Sequence, residues 1–210
     1  MFGLPSLLLT KNFRIMRTIT RTFNVFQVTE LSDKAFNKSY NKWLERYDYP
    51  WDKENRRTLD VFEDWFDVYV CEWEYDSSNY SYRFQIDFNE VEELSGMRLY
   101  KYLMKICWNY LFEKKVYYSR HGLKKRTSNI LYSHECVMTG YFMDEVILKP
   151  IYDFFEKPDN TTYRELMDKC LDAFFSACSE DMRDKGSEQY FKEECNANGW
   201  EFTEDGEMFS

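Results

Sequence analysis

Few side chains in this chain stand in a pattern that could do covalent chemistry. His121 and His134 are the only histidines in 210 residues. His134-Glu135-Cys136 sets a metal-ligating side chain on either side of a carboxylate. Zinc deaminases use a His-x-Glu element, but they pair it with Pro-Cys-x-x-Cys, and no such partner occurs here. A structural zinc site would need about four well-spaced cysteine or histidine ligands. A strand histidine beside a packed cysteine accounts for the triplet. The stretch Gly122 to Ser128 (GLKKRTS) has lysines and hydroxyls after a glycine. It lacks the second glycine directly before a lysine that a phosphate-cradling loop requires. Its charges read as a solvated basic loop, or as a partner for the chain's own acidic end. Neither a Gly-x-Ser-x-Gly turn nor a glycine-rich dinucleotide turn occurs, and seven glycines leave little material for one. Asp87 with Glu113-Lys114-Lys115 has the residue types of a nuclease Asp…Glu-x-Lys site. That pattern is short enough for chance, and an acidic protein repels DNA. The expectation is no catalytic residue, no metal and no cofactor.

The acidic C-terminal end is different in kind. Glu180, Asp181, Asp184, Glu188, Glu193, Glu194, Glu201, Glu204, Asp205 and Glu207 are opposed there only by Arg183, Lys185 and Lys192. They interleave with Tyr190, Phe191, Trp200, Phe202 and Phe209. Carboxylates on a rigid helix can imitate phosphates, and aromatic rings can anchor the contact. We therefore take those ten carboxylates, together with Trp200, as the candidate partner-binding residues. A solvated helix face followed by a mobile tail is the simpler alternative. A second acidic, aromatic stretch runs from Asp60 to Asp76, with Asp64, Asp67, Glu72 and Glu74 among Trp65, Tyr69 and Trp73. Strand alternation puts Glu72 and Glu74 opposite Trp73 and Tyr75, in water.

Composition supports a folded binding protein. The chain is 44% hydrophobic and 31% charged, which disfavours disorder for most of its length. Aromatics reach 20%, so few residues can bury much area, and most rings should be core. The net charge of −9 argues against non-specific binding to nucleic acid or anionic membrane, and permits a basic protein partner. The six cysteines form no Cys-x-x-Cys pair and lie mostly on apolar faces, which reads as free thiols in a reducing compartment.

These residues need elements to position them. Residues 1–16 read as a disordered or non-native extension, with Met16 a second candidate start. The run Leu7 to Leu9 is too short to span a membrane. Basic residues Lys11, Arg14, Arg17 and Arg21 could pair with the acidic end or with a second copy. Residues 17–186 read as a single α+β domain, and 187–210 as an acidic helix and hairpin appendage. Arg21 to Val28 reads as a strand. Thr29 or Ser32 then caps a helix to about Tyr47, and a second helix spans Asp52 to Phe66. Val68 to Tyr75 and Tyr80 to Phe88 alternate and should form a hairpin. Helical spacing from Met97 predicts one long central helix, from Val91 or Ser95 to Tyr117. Asn129 to Met138 reads as a strand. Phe142 to Phe155 is a helix kinked or broken by Pro150. The C-terminal helix opens with the Thr162–Glu165 capping-box spacing and breaks at Gly186. A small hairpin with its turn at Asp205-Gly206 closes the chain. The fold class expected is α+β and helix-rich, with several helices packed on a small antiparallel sheet.

Two stretches resemble a known family. Phe26-Gln27-Val28-Thr29-Glu30-Leu31-Ser32-Asp33-Lys34-Ala35 is similar to the opening of a family of small bacteriophage and prophage proteins, and Trp200-Glu201-Phe202-Thr203-Glu204-Asp205-Gly206 to their close. The motifs are structural, so no active-site residue carries over. The resemblance implies phage origin, expression in the host cytoplasm, and a role among inhibitors of host defence such as anti-CRISPR proteins. The implied partner is a host protein with a basic surface, such as a CRISPR effector, with no direct nucleic acid and no membrane. A phage assembly protein that homo-oligomerises and an unrecognised metal-dependent enzyme are the other two readings.

Overall fold

The computed structural model describes residues 22, 24–87, 89–118, 125–133 and 137–209. The fold is helix-rich α+β, as its composition and periodicity predict. Its axis is helix α7 (Tyr163–Lys185), preceded in chain order by α1 (Asp33–Leu44), α2 (Asp52–Phe66), strands β1 (Val68–Tyr75) and β2 (Tyr80–Ile86), α3 (Asn89–Glu92), α4 (Gly96–Ile106), α5 (Trp108–Leu111), β3 (Phe112–Tyr118), β4 (Lys125–Ser133) and α6 (Met143–Glu156). Helix α8 (Glu188–Asn198) and the two-residue strands β5 (Glu201–Phe202) and β6 (Met208–Phe209) follow. Each successive strand pair forms its own antiparallel two-stranded sheet.

Helix α7 forms because its apolar residues recur at helical spacing and its first turn is capped from both sides. Thr162 accepts from the Glu165 amide, and the Glu165 carboxylate accepts from the Thr162 amide. An antiparallel bridge between Ser95 and Thr162, and the Tyr163 amide bonded to Leu94 O at 2.8 Å, pin this start. The Tyr163 hydroxyl donates to Phe66 O inside the core. Leu166, Met167, Cys170, Leu171, Phe174 and Phe175 are then fully buried. Phe175 meets the β1–β2 hairpin through the Tyr82 ring at 5.1 Å and the Trp73 ring at 5.9 Å. Helices α2, α4 and α6 contribute Phe62, Leu103 and Ile151 to the same core. Cys107, Cys170, Cys178 and Cys195 are buried free thiols.

A second cluster joins the two ends of the described chain. Phe191, Cys195 and Phe202 bury Val28, with Phe36, Tyr40, Trp43 and Trp200 packed around them. Phe26 and Phe202 exchange backbone hydrogen bonds at 2.8 Å in each direction. The motif around Val28 and the motif around Phe202 therefore lie side by side.

Several elements differ from expectation. Among the described residues of the predicted strand over 21–28 there is one bridge at Phe26, followed by a 3-10 turn at Val28–Glu30. Its partner β5 is two residues long, so no ladder can extend. The long helix to Tyr117 is α4, a break at Cys107, the short α5, and then strand β3. Phe112, Val116, Tyr117 and Tyr118 favour extended backbone once a partner strand is present. That partner, β4, begins at Lys125, nearer the chain start than predicted, and pairs Val116 with Thr127. It takes Lys125 and Arg126 out of the basic loop; the rest of that loop's tip, His121, and the His134-Glu135-Cys136 triplet lie outside the described residues. Helix α6 runs through Pro150 without ending. Ile147, Ile151 and Phe154 are buried on either side of the proline, which offsets the lost backbone bond. The helix boundaries at Ser32, Asp52, Phe66 and Gly186 fall where the sequence puts them.

Candidate functional site

Helix α7 carries a row of carboxylates that neutral hydroxyls hold in place. Tyr82 donates to Asp168 Oδ1 at 2.9 Å, Tyr80 to Asp172 Oδ1 at 2.8 Å, and Tyr49 to Asp181 Oδ2 at 2.6 Å. All three phenols are pushed above their ordinary range, Tyr82 and Tyr49 mainly by burial and Tyr80 mainly by its bond to Asp172. They stay protonated and donate, so each carboxylate is fixed without its charge being cancelled.

Tyr49 connects this row to a cleft of about 740 Å³ between the end of α1, the α1–α2 connection, the β1–β2 turn and the α7–α8 junction. Asp48, Asp52 and Asp76 line it, with Arg183 the one cation among its described lining residues. Asp76 accepts from the Ser78 hydroxyl at 2.7 Å and the Ser78 and Asn79 amides at 2.6 and 2.9 Å. The Ser78 bonds, then the Asn79 amide, hold its carboxyl below the usual range. Ser179 of α7 donates to Asp76 O at 2.6 Å, locking the turn onto the helix. Asp52 accepts from Tyr75 at 2.8 Å, and Asn55 Nδ2 lies 3.3 and 3.4 Å from the Tyr49 and Tyr75 hydroxyls.

The sequence-predicted residues are distributed around this cleft and beyond it. Glu180 and Asp184 are exposed on the last turns of α7, and Asp181 is half-buried beside Tyr49. Glu188 is exposed on the first turn of α8. Glu193 accepts from Gln189 at 2.7 Å, and Glu194 from Asn198 at 3.2 Å. Trp200 is half-buried against the second cluster. Glu201 and Glu204 are exposed. Asp205 and Glu207 stand apart, because they pair with the chain's own cations. Lys38 lies 3.0 Å from each of them, and Lys42 bridges to Glu207. The Thr203 hydroxyl, then Lys38, holds Asp205 down to about 2, and Lys42 with Lys38 holds Glu207 low.

The chain matches no family model, no curated protein and no solved structure. The reading of this surface therefore rests on its own geometry.

Asp48, Asp52, Asp76 and the tyrosine donors are what sequence reasoning missed. The carboxylates sit in turns and at a helix start far from α7 in the chain, where a lone carboxylate carries no signal, and Tyr75, Tyr80 and Tyr82 sit on β1 and β2. The one available hint is the aromatic-proline step Tyr49-Pro50-Trp51 between the first two helices. Among the described residues no group of three or more histidine, cysteine or carboxylate side chains is placed to hold a metal ion. Burial pushes the Cys107, Cys178 and Cys195 thiols up to about 12, so they are poor nucleophiles. No helix among the described residues is long and apolar enough to cross a membrane. What the arrangement can do is attract and seat cations.

Proposed function

We propose that this chain is a non-catalytic binding protein whose acidic face docks on the basic surface of a partner protein. The face comprises Asp48, Asp52 and Asp76 in the cleft with Glu180, Asp181 and Asp184 on α7. The observation that carries the reading is the convergence of Asp48, Asp52 and Asp76 from two separate segments on one cleft, with Asp181 held beside it by Tyr49 and Arg183 the one cation among its described lining residues. Such a concentration of fixed negative charge raises the rate at which a cationic surface finds it and repels polyanions. The resemblance of both chain ends to phage proteins supports a more specific version. In that version the partner is a basic, nucleic-acid-handling host complex, such as a CRISPR effector, and the chain occupies its groove as an inhibitor.

The test is retention of host proteins on the immobilised chain at low and high salt, beside an Asp52→Lys/Glu180→Lys/Asp184→Lys variant. These three side chains are at the surface, so the fold should survive. A basic partner should be retained at low salt, released at high salt, and lost with the variant. Retention that ignores both salt and charge reversal would refute the reading.

A further inference from the structure

Beside the acidic cleft lies a smaller and drier pocket of about 170 Å³, lined by Trp51, Glu54, Asn55, Tyr141, Phe142 and Asp181 among others. It has the volume of one side-chain head group rather than of a small-molecule ligand. Three of its walls are rings that the fold leaves in water: Trp51 is 46% exposed, Tyr141 42% and Phe142 70%. Two adjacent exposed aromatics at the start of α6 and a third at the start of α2 are not core packing. Its acidic side chains are Glu54 and Asp181, with the Asn55 amide beside them, and among the described residues no lysine, arginine or histidine lines it. Glu54 Oε2 is out of contact with solvent and has no hydrogen-bond partner. An unpaired buried acceptor is costly, and because Oε2 is sealed from solvent a cation in the pocket reaches it only when the Glu54 side chain turns toward the cavity.

The pocket is also built rigidly. The buried Asp144 carboxylate accepts from the Met138, Thr139 and Gly140 amides at 2.8, 2.6 and 3.0 Å, which fixes the loop leading to Tyr141 and Phe142. Its other oxygen accepts from Thr139 at 2.7 Å and from Thr58 of α2 at 3.2 Å, tying that loop to the helix that carries Glu54. Asp181 is held by Tyr49.

We infer that this pocket seats one arginine side chain of the partner, a conclusion that rests on the basic-partner reading above. A lining of three rings and two carboxylates suits a planar cation. The guanidinium stacks on the aromatic faces and donates N–H groups to Glu54, which an ammonium cannot do with the same geometry. An uncharged apolar side chain would leave Glu54 unpaired, and an anion would be repelled.

The probe is N-acetyl-arginine N-methylamide, titrated into the full chain and followed by backbone NMR shifts at residues 51–55 and 139–143, with the citrulline analogue as the neutral isostere. Saturable shifts at those positions are expected, with a Kd of roughly millimolar order, as befits a single anchoring group. Citrulline should bind about tenfold more weakly, and Glu54→Gln and Phe142→Ala should each weaken the arginine probe by about tenfold. Glu54→Gln should fold at least as stably as the parent, which separates lost binding from lost structure. Equal shifts from arginine and citrulline, shifts centred elsewhere, or full binding by Glu54→Gln would each overturn the assignment. Salt-dependent retention of a basic protein is read independently, so failure of the pocket leaves that result standing.

Discussion

Replacing Gly206 by alanine tests whether the C-terminal hairpin is seated on α1 or merely follows α8. Gly206 has a φ of +82°, and a β-carbon built on it would lie 2.3 Å from the Ala35 carbonyl oxygen and 2.8 Å from Ser39 Oγ. The first distance is about 1 Å short of ordinary carbon–oxygen contact, and the obstacle is helix backbone rather than a movable side chain. Relief requires the hairpin to lift. That breaks the 2.7 Å bond from Ser39 to Gly206 O and pulls Asp205 and Glu207 away from Lys38 and Lys42. The left-handed backbone, the overpacking and the lost hydrogen bond together predict a loss of about 4 kcal/mol. Gly199→Ala is the control, because Gly199 has a φ of +62° but nothing within 4 Å of its added carbon. It should lose only about 1 kcal/mol, from backbone conformation alone. Urea unfolding of both variants reads the global effect. Amide exchange at Phe26 and Phe202, which bond to each other, reads local undocking. If Gly206→Ala proves no worse than Gly199→Ala by either measure, the close seating described here is wrong.

Acid should loosen the same joint. Asp205 is held at about 2 against an ordinary 3.8, and Glu207 below its ordinary 4.5. Their contribution is complete above those ordinary values and disappears as pH falls toward the depressed ones. NMR titration should put the Asp205 midpoint near 2, and Thr203→Val should raise it more than Lys38→Ala does. A midpoint at the ordinary value in the parent would show that neither group holds it. In the main core, Tyr163→Phe leaves Phe66 O without its buried donor and should cost about 1–2 kcal/mol in urea unfolding. Unchanged stability would mean that this bond contributes nothing.

What the sequence makes legible here is what is local. Ser32 and Thr162 each accept from the amide three residues on, so their caps can be read directly from the chain. The β1–β2 hairpin is equally readable, because alternation and a four-residue turn are local patterns. Strand β3 is not, because Phe112 to Tyr118 continue a helical pattern and turn extended only where β4 offers a partner. The acidic end shows the same limit. Composition locates Glu180 to Glu207, but nothing in that stretch says that Lys38 and Lys42 will meet Asp205 and Glu207 more than 160 residues away. Nor can it say that Asp52 and Asp76 will join Asp181.

That division bears directly on function, because the nature of a carboxylate's partner decides what the carboxylate can still do. A lysine cancels the charge it holds. Asp205 and Glu207 therefore act as a clamp between the hairpin and α1, and contribute little field to an approaching protein. A tyrosine hydroxyl or a backbone amide fixes a carboxylate while leaving its charge in place. Asp181, Asp52 and Asp76 are held in this second way, by Tyr49, by Tyr75, and by Ser78 with Asn79. Rigid, uncancelled charge costs little to reorganise when a cation arrives. The acidic end is thus two structures with opposite logic. One half holds the chain's two ends together, and the other keeps its charge. Charge reversal at Asp205 should accordingly weaken the fold, and charge reversal at Asp52, which forfeits only the exposed bond from Tyr75 and a helix-start charge, should weaken binding far more than the fold.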